Sequence, residues 1–304
     1  MSAVIRRFLG VILVLLGVIL LTFIFLRIIP GDPVSVLLNE HVSESAIQRL
    51  TGSMDLDKPP VLQFFGYLKN ACRGDLGQSY SMKQPVFSLI ITAFPNTLKL
   101  TVLSALFAWM LGIVTGVISA LYADRLPDIL FRGFSLLGVS MPVFMVALFL
   151  QYLMYYRLGL LPMLYDGSFI SMILPAIALG WNSAGSVARI TRSGMMEQLN
   201  SPYLDTARAK GLTTKKAILT HGLRNAIIPV ITFMAMQLSG MLSGAVITES
   251  IFGISGIGKL ALSAVLTRDM PLLQGTVLFA ALIISIGNIV ADVINTFLDP
   301  RMRI

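Results

Sequence analysis

Six apolar runs, each about as long as a helix needs to be to cross a bilayer, recur along this 304-residue chain. They lie at roughly Phe8–Ile29, Pro95–Tyr122, Gly133–Tyr156, Ile173–Ile190, Ile227–Ser250 and Gly275–Phe297. A span takes about 20 mainly apolar residues, and only a helix satisfies its own backbone polar groups within one segment in lipid. Transmembrane barrels use short alternating segments instead. The chain therefore reads as an all-α membrane protein with six transmembrane helices. Its 12% charged residues, against about 25% in soluble domains, agree.

The first run follows Arg6 and Arg7, as the core of a signal peptide would. It is too long for one, and it ends in Arg27-Ile-Ile-Pro-Gly-Asp32 where a cleavage site would need small residues. It reads as a membrane anchor.

The net charge of +8 raises nucleic acid or acidic lipid as a partner, but the bases cluster in short loops between spans. Clustering of that kind marks topology rather than a nucleic-acid surface. One set of loops holds Arg6, Arg7, Arg125, Arg132, Arg189, Arg192, Arg208, Lys210, Lys215, Lys216, Arg224, Arg301 and Arg303, while the loop Leu158–Met172 holds none. The basic set is expected in the cytoplasm, with both termini on that side. The outer segment 30–94 is too long for a simple connection and carries Val61-Leu62-Gln63-Phe64-Phe65 and Tyr67-Leu68, so a small extracytoplasmic cap is expected. Three divisions follow: 1–29 with the first span, 30–94 as cap, and 95–304 as core with a cytoplasmic loop at about 193–226.

Catalytic and metal chemistry finds no pattern. His41 and His221 have no ligand partners at metal-site spacing, and Cys72 is a lone thiol. Gly253-Ile-Ser-Gly-Ile-Gly258 has no Gly-Lys-Ser/Thr ending, so it reads as a turn beside the membrane and any ATP falls to another chain. Arg27, Lys99, Arg157 and Glu249 are expected to snorkel from span ends, and Asp292 sits about two turns from the end of the last span, so a proton or sodium relay finds little support. Asn288 and Asn295 are expected to bond between helices, and Gly112, Gly116 and Ser119, like Gly240 and Gly244, to allow close helix approach. The methionines, Met234, Met236 and Met241 among them, read as flexible packing.

From Arg189 to Arg224 there are seven bases and two acids, Glu197 and Asp205. Burying them would cost on the order of 20 kcal/mol, so this stretch lies outside the bilayer. Its local grammar is that of a short helix. Ser201 can cap it, Pro202 suits its first position, Asp205 favours its positive end, Arg208 and Lys210 its negative end, and Gly211 can close it. A second helix is expected from Thr213 or Thr214 towards Pro229. So short a helix is marginal alone and needs something to pack against. The alternative is a loop lying on anionic headgroups.

Asp205-Thr-Ala-Arg-Ala-Lys-Gly211 resembles the cytoplasmic EAA loop of ATP-binding-cassette (ABC) importer permeases. With the following His221-Gly-Leu-Arg-Asn-Ala-Ile-Ile-Pro229 it is similar to the dipeptide, oligopeptide and nickel branch. Arg27-Ile-Ile-Pro-Gly-Asp-Pro33, Gly74-Asp-Leu-Gly-Gln-Ser79, Gly138-Val-Ser-Met-Pro142, Arg268-Asp-Met-Pro-Leu-Leu-Gln-Gly275 and Leu298-Asp-Pro-Arg301 extend the resemblance along nearly the whole chain. Asp205 stands where the family has its first Glu, Thr206 and Ala207 at its alanines, and Gly211 at its turn glycine. The acid is one methylene shorter, and one alanine is threonine.

The resemblance implies a type I ABC importer permease fold in a bacterial or archaeal plasma (inner) membrane, with no cofactor and no catalysis of its own. It implies as partners a second homologous permease subunit, two cytoplasmic ABC ATPase subunits and an extracytoplasmic solute-binding protein. Small peptides or nickel and its chelates would be the cargo, moved by alternating access. Tyr203, Leu204, Asp205, Thr206, Ala207, Arg208, Lys210 and Gly211 would form the coupling helix that docks an ATPase. The rival is an ion-coupled secondary transporter or channel, for which six spans alone would be adequate.

Overall fold

The computed structural model describes residues 3–28, 59–242 and 245–298, which are almost wholly helical. They form two compact units, one from 1–97 with 255–285 and one from 98–254 with 286–304. Helix α1 spans Ala3–Ile28, α2 Pro60–Ala71 and α3 Val86–Leu121. Helices α4 (Leu126–Ser140) and α5 (Val143–Leu150) follow, α5 continuing as π-helical turns over Gln151–Arg157. Then come α6 (Ile173–Leu199), α7 (Pro202–Ala209), the single turn α8 (Thr214–Ala217) and α9 (Leu223–Leu242). The last are α10 (Val246–Ile251), α11 (Ile257–Leu266) and α12 (Met270–Leu298).

Four described segments are long and apolar enough to cross a membrane: Val86–Leu121, Ile170–Leu199, Thr220–Leu242 and Met270–Val293. A fifth exists if the bent pair Leu126–Ser140 and Val143–Arg157 is one span. Helix α1 has 26 residues, with apolar Leu9–Phe25 inside it.

The expected straight span Gly133–Tyr156 is broken, its halves bent by 108°. Pro142 causes the break. It has no N–H to give the preceding turn, and its ring drives Met141 out of the helical region, to φ −81 and ψ 126. Pro95 and Pro229, by contrast, sit inside continuous helices. The expected span Ile227–Ser250 is also broken, since Ala245, at φ −92 and ψ 65, leaves the helical region just before α10. Residues 29–58, with His41 and the Arg27-to-Pro33 motif beyond Ile28, lie outside the described part, as do Gly244 and the chain end past Leu298.

In the first unit Leu76, Val86, Ile90, Ile257 and Leu272 form the core, and Phe94 meets Phe279 edge-on at 5.2 Å. Helix α2, expected within the cap, buries none of its residues but sets Phe64 edge-on to Phe23 at 5.3 Å.

In the second unit the expected close approach along α3 occurs. A Cβ on Gly112 would lie 2.7 Å from Val187 Cβ, and one on Gly116 2.6 Å from the Ala188 carbonyl oxygen, so α3 and α6 touch backbone to backbone. Gly240 differs: a Cβ there meets nothing within 4 Å. Glu249, expected to reach water from a span end, is instead fully buried. Asn288 is exposed, and the side chain of Asn295 is outside the described set.

Candidate functional site

Helix α7 is the short helix expected between the fourth and fifth runs. Ser201 does not cap it through its side chain. Its hydroxyl donates to the Gln198 carbonyl at 2.6 Å, finishing α6, because it stands one turn after that carbonyl. The Tyr203 hydroxyl likewise donates to Gln198 Oε1 at 2.8 Å. At the other end Gly211 adopts φ +88, and the Leu212 N–H reaches back to the Ala207 carbonyl at 3.3 Å. A left-handed residue with this six-to-one bond is the Schellman ending that favours glycine.

Leu204 is wholly buried and Ala207 is 9% exposed. They stand three residues apart, on one face, and pack with Ala120 at the end of α3, Met195 of α6, Ala217 and Ile218, and Ala226 of α9. Asp205, Thr206, Lys210 and Gly211 are exposed; the Arg208 side chain lies outside the described set. The expected docking residues thus divide. Tyr203, Leu204 and Ala207 hold the helix to this chain, and Asp205, Thr206, Lys210 and Gly211 are presented outward.

The second expected helix starts where anticipated, with Thr213 accepting from the Ala217 N–H at 2.9 Å through its carbonyl, and it runs on through a π turn into α9. Gly194 lets α6 and α9 converge beside it, since a Cβ there would lie 2.9 Å from the Ala226 carbonyl oxygen.

Two polar clusters escaped the sequence reading. Asp128, in the first turn of α4, is fully buried and accepts from Arg192 Nε and Nη2 at 2.8 Å each, from the Ser119 hydroxyl at 2.5 Å and from the Asp124 N–H at 2.9 Å. Nothing local pairs positions 64 residues apart. In the first unit Asp269 accepts from the Ser79 and Ser81 hydroxyls at 2.6 and 2.8 Å and from the Ser81 N–H at 2.9 Å. Burial and then the Asp269 charge push the neighbouring Tyr80 hydroxyl up to about 12. Both serines and Asp269 fall in or beside motifs that carry the resemblance, a signal of place but not of partner.

Residues 112–304 match the family model described as binding-protein-dependent transport system inner membrane component, and residues 1–101 match its N-terminal companion. The glutathione transport system permease protein GsiC of Shigella flexneri serotype 5b (strain 8401) is 36% identical over 303 residues, covering 100% of this chain and 99% of the relative. The di/tripeptide transport system permease protein DppB of Pseudomonas aeruginosa (strain UCBPP-PA14) is 38% identical over 337 residues, with the same coverage. The solved MetNI methionine ABC transporter, in inward facing conformations, shares the fold with a TM-score of 0.58 at 13% identity, over 69% of this chain and 96% of that one. With a family model matched over residues 112–304 and relatives 36% and 38% identical along the whole chain, this chain belongs to the family of binding-protein-dependent transport system inner membrane components.

Proposed function

We propose that this chain is one permease half of an ABC importer for small peptides, and that α7 is the helix through which a separate ATPase moves it. The observation that carries this is the anchoring of Leu204 and Ala207 among the ends of α3, α6 and α9, while Asp205, Thr206 and Lys210 face outward. A short helix gripped by several spans passes a push to all of them, whereas a loop resting on headgroups would not.

A second permease subunit, two ATPases and an extracytoplasmic binding protein complete the assembly in this reading, with the outer cap falling between the first span and α3 and both termini in the cytoplasm. The stand-alone secondary transporter or channel is set aside, because the family serves binding-protein-dependent systems. Peptides are favoured as cargo because the relatives above are named for glutathione and for di/tripeptides. Nickel has no counterpart in those names.

The test replaces Gly211 with valine and reconstitutes the whole transporter with its binding protein in liposomes. The site beside Gly211 is open, but φ +88 strains any β-branched residue, so the ending of α7 should distort while the spans insert normally. Loss of peptide uptake and of substrate-stimulated ATP hydrolysis, with assembly intact, is expected. Normal uptake sinks the assignment of α7.

A further inference from the structure

A cavity of about 450 Å3 opens in the second unit between α3, α4 and α6. Arg132, Arg189, Arg192 and Ser193 line it together with Thr115, Ser119 and Ser135, and Leu136, Gly116 and Ala188 supply an apolar wall. The docking helix does not use it. Its chemistry follows from counting donors. A guanidinium has five N–H groups. Asp128 takes two from Arg192, through Nε and Nη2, which leaves three. Arg132 Nε lies 3.4 Å from the same carboxylate and Nη2 3.8 Å from Asp124, an acid whose side chain is 87% exposed. Arg189 is exposed and has no carboxylate within ion-pair distance among the described residues.

The Asp128 carboxylate is itself saturated. Its two oxygens accept four hydrogen bonds, so it fixes Arg192 in place without having lone pairs to spare for a cation. Three hydroxyls have already committed their protons: Thr115 to the Leu111 carbonyl, Ser135 to the Phe131 carbonyl and Ser119 to Asp128. They remain as acceptors only. The lining therefore offers a concentrated set of cationic donors, one further hydroxyl in Ser193, three acceptor hydroxyls and an apolar wall.

We infer that this cavity binds a phosphate-type anion, presented by the headgroup of an acidic phospholipid. Guanidinium groups match phosphate oxygens in pairs. A basic pocket between membrane helices is the setting in which acidic headgroups are bound. The apolar wall of Leu136 and Ala188 suits the start of the acyl chains. Hydroxyls on a polyol headgroup would donate to Thr115 and Ser135 without adding a positive charge beside Arg132, Arg189 and Arg192, which favours phosphatidylglycerol over an ammonium-bearing headgroup.

The experiment uses the assembled transporter in nanodiscs of phosphatidylcholine, with and without phosphatidylglycerol, and counts retained lipid by native mass spectrometry. Arg189→Gln should weaken phosphatidylglycerol retention about fivefold or more, the loss of one near-surface cation, and Arg189→Lys should keep most of it. Inorganic phosphate, titrated into the lipid-neutral nanodiscs and followed by 31P line broadening, separates the two sources. Arg189-dependent phosphate binding without phosphatidylglycerol retention keeps the anion site but overturns the lipid as its ligand. Equal retention in wild type and Arg189→Gln, or binding of neither probe by the wild type, overturns the site. Because Arg189 is exposed and makes no ion pair among the described residues, assembly of the variant is expected to be normal, and Ser193→Ala supplies an independent variant with a smaller loss.

Discussion

Arg192 grips Asp128 side-on, Nε to Oδ1 and Nη2 to Oδ2, both at 2.8 Å, with the Asp128 side chain fully buried and the Arg192 side chain 23% exposed. This pair ties α4 to α6, and the Ser119 hydroxyl brings in α3. Removing one partner of a buried pair strands the other charge, at a cost of about 3–5 kcal/mol. Asp128→Asn should lower the thermal unfolding midpoint of the purified permease sharply, and Ser119→Ala by less, about 1–2 kcal/mol, because the ion pair survives. Equal effects of the two substitutions would contradict a pair-dominated cluster.

Gly116 and Gly133 are both helical glycines with opposite surroundings. A Cβ at Gly116 would lie 2.6 Å from the Ala188 carbonyl oxygen and from Thr191 Cβ, whereas one at Gly133 meets nothing within 4 Å. Gly116→Leu should therefore force α3 and α6 apart and cost at least about 1–3 kcal/mol. Gly133→Ala should be neutral or stabilise by up to about 1 kcal/mol through helix propensity. Denaturation of the two variants side by side distinguishes packing from propensity.

Leu204 has no exposed surface, while Thr206 two positions later is exposed. Leu204→Ala removes the plug that seats α7 and should destabilise its docking by about 2–5 kcal/mol. Hydrogen exchange across 201–213 would then quicken without change in α12, and Thr206→Ala should leave exchange as in the wild type. Unchanged exchange in Leu204→Ala would mean that α7 is held by something other than this contact.

Tyr80 carries a pH signature. Its hydroxyl is raised to about 12 by burial and then by Asp269, so the protonated form is favoured in the folded chain. The stability this contributes is complete below the unfolded value near 10 and is lost as pH rises from about 10 to 12. A spectroscopic tyrosine titration should show a late component, shared with Tyr67, whose hydroxyl burial also pushes up to about 12; it should shrink in Tyr80→Phe, and the Tyr80 part should move to lower pH in Asp269→Asn. A single titration near 10 in the wild type would count against the buried site.

Short-range physics explains what could be read along the chain. The apolar runs set where helices lie, because a backbone in lipid must bond to itself. Pro202, Asp205 and Gly211 placed a short helix correctly because their preferences act within one turn. The break at Pro142 was equally local, yet a continuous apolar run from Gly133 to Tyr156 concealed it. Ser201 shows the limit of such rules: two helix ends compete for one hydroxyl, and the preceding helix takes it.

By itself the sequence determined the lipid-embedded helical class, the exposed segment near 201–213 and the motifs of its family, since these depend on period, length and nearest neighbours. Only the tertiary structure decided which face of α7 is held by Leu204 and Ala207, that Glu249 is buried rather than snorkelling, and that Asp128 meets Arg192 across 64 positions. Each of those depends on which helices pack together. The short-range preferences that place a helix carry no information about its distant neighbour.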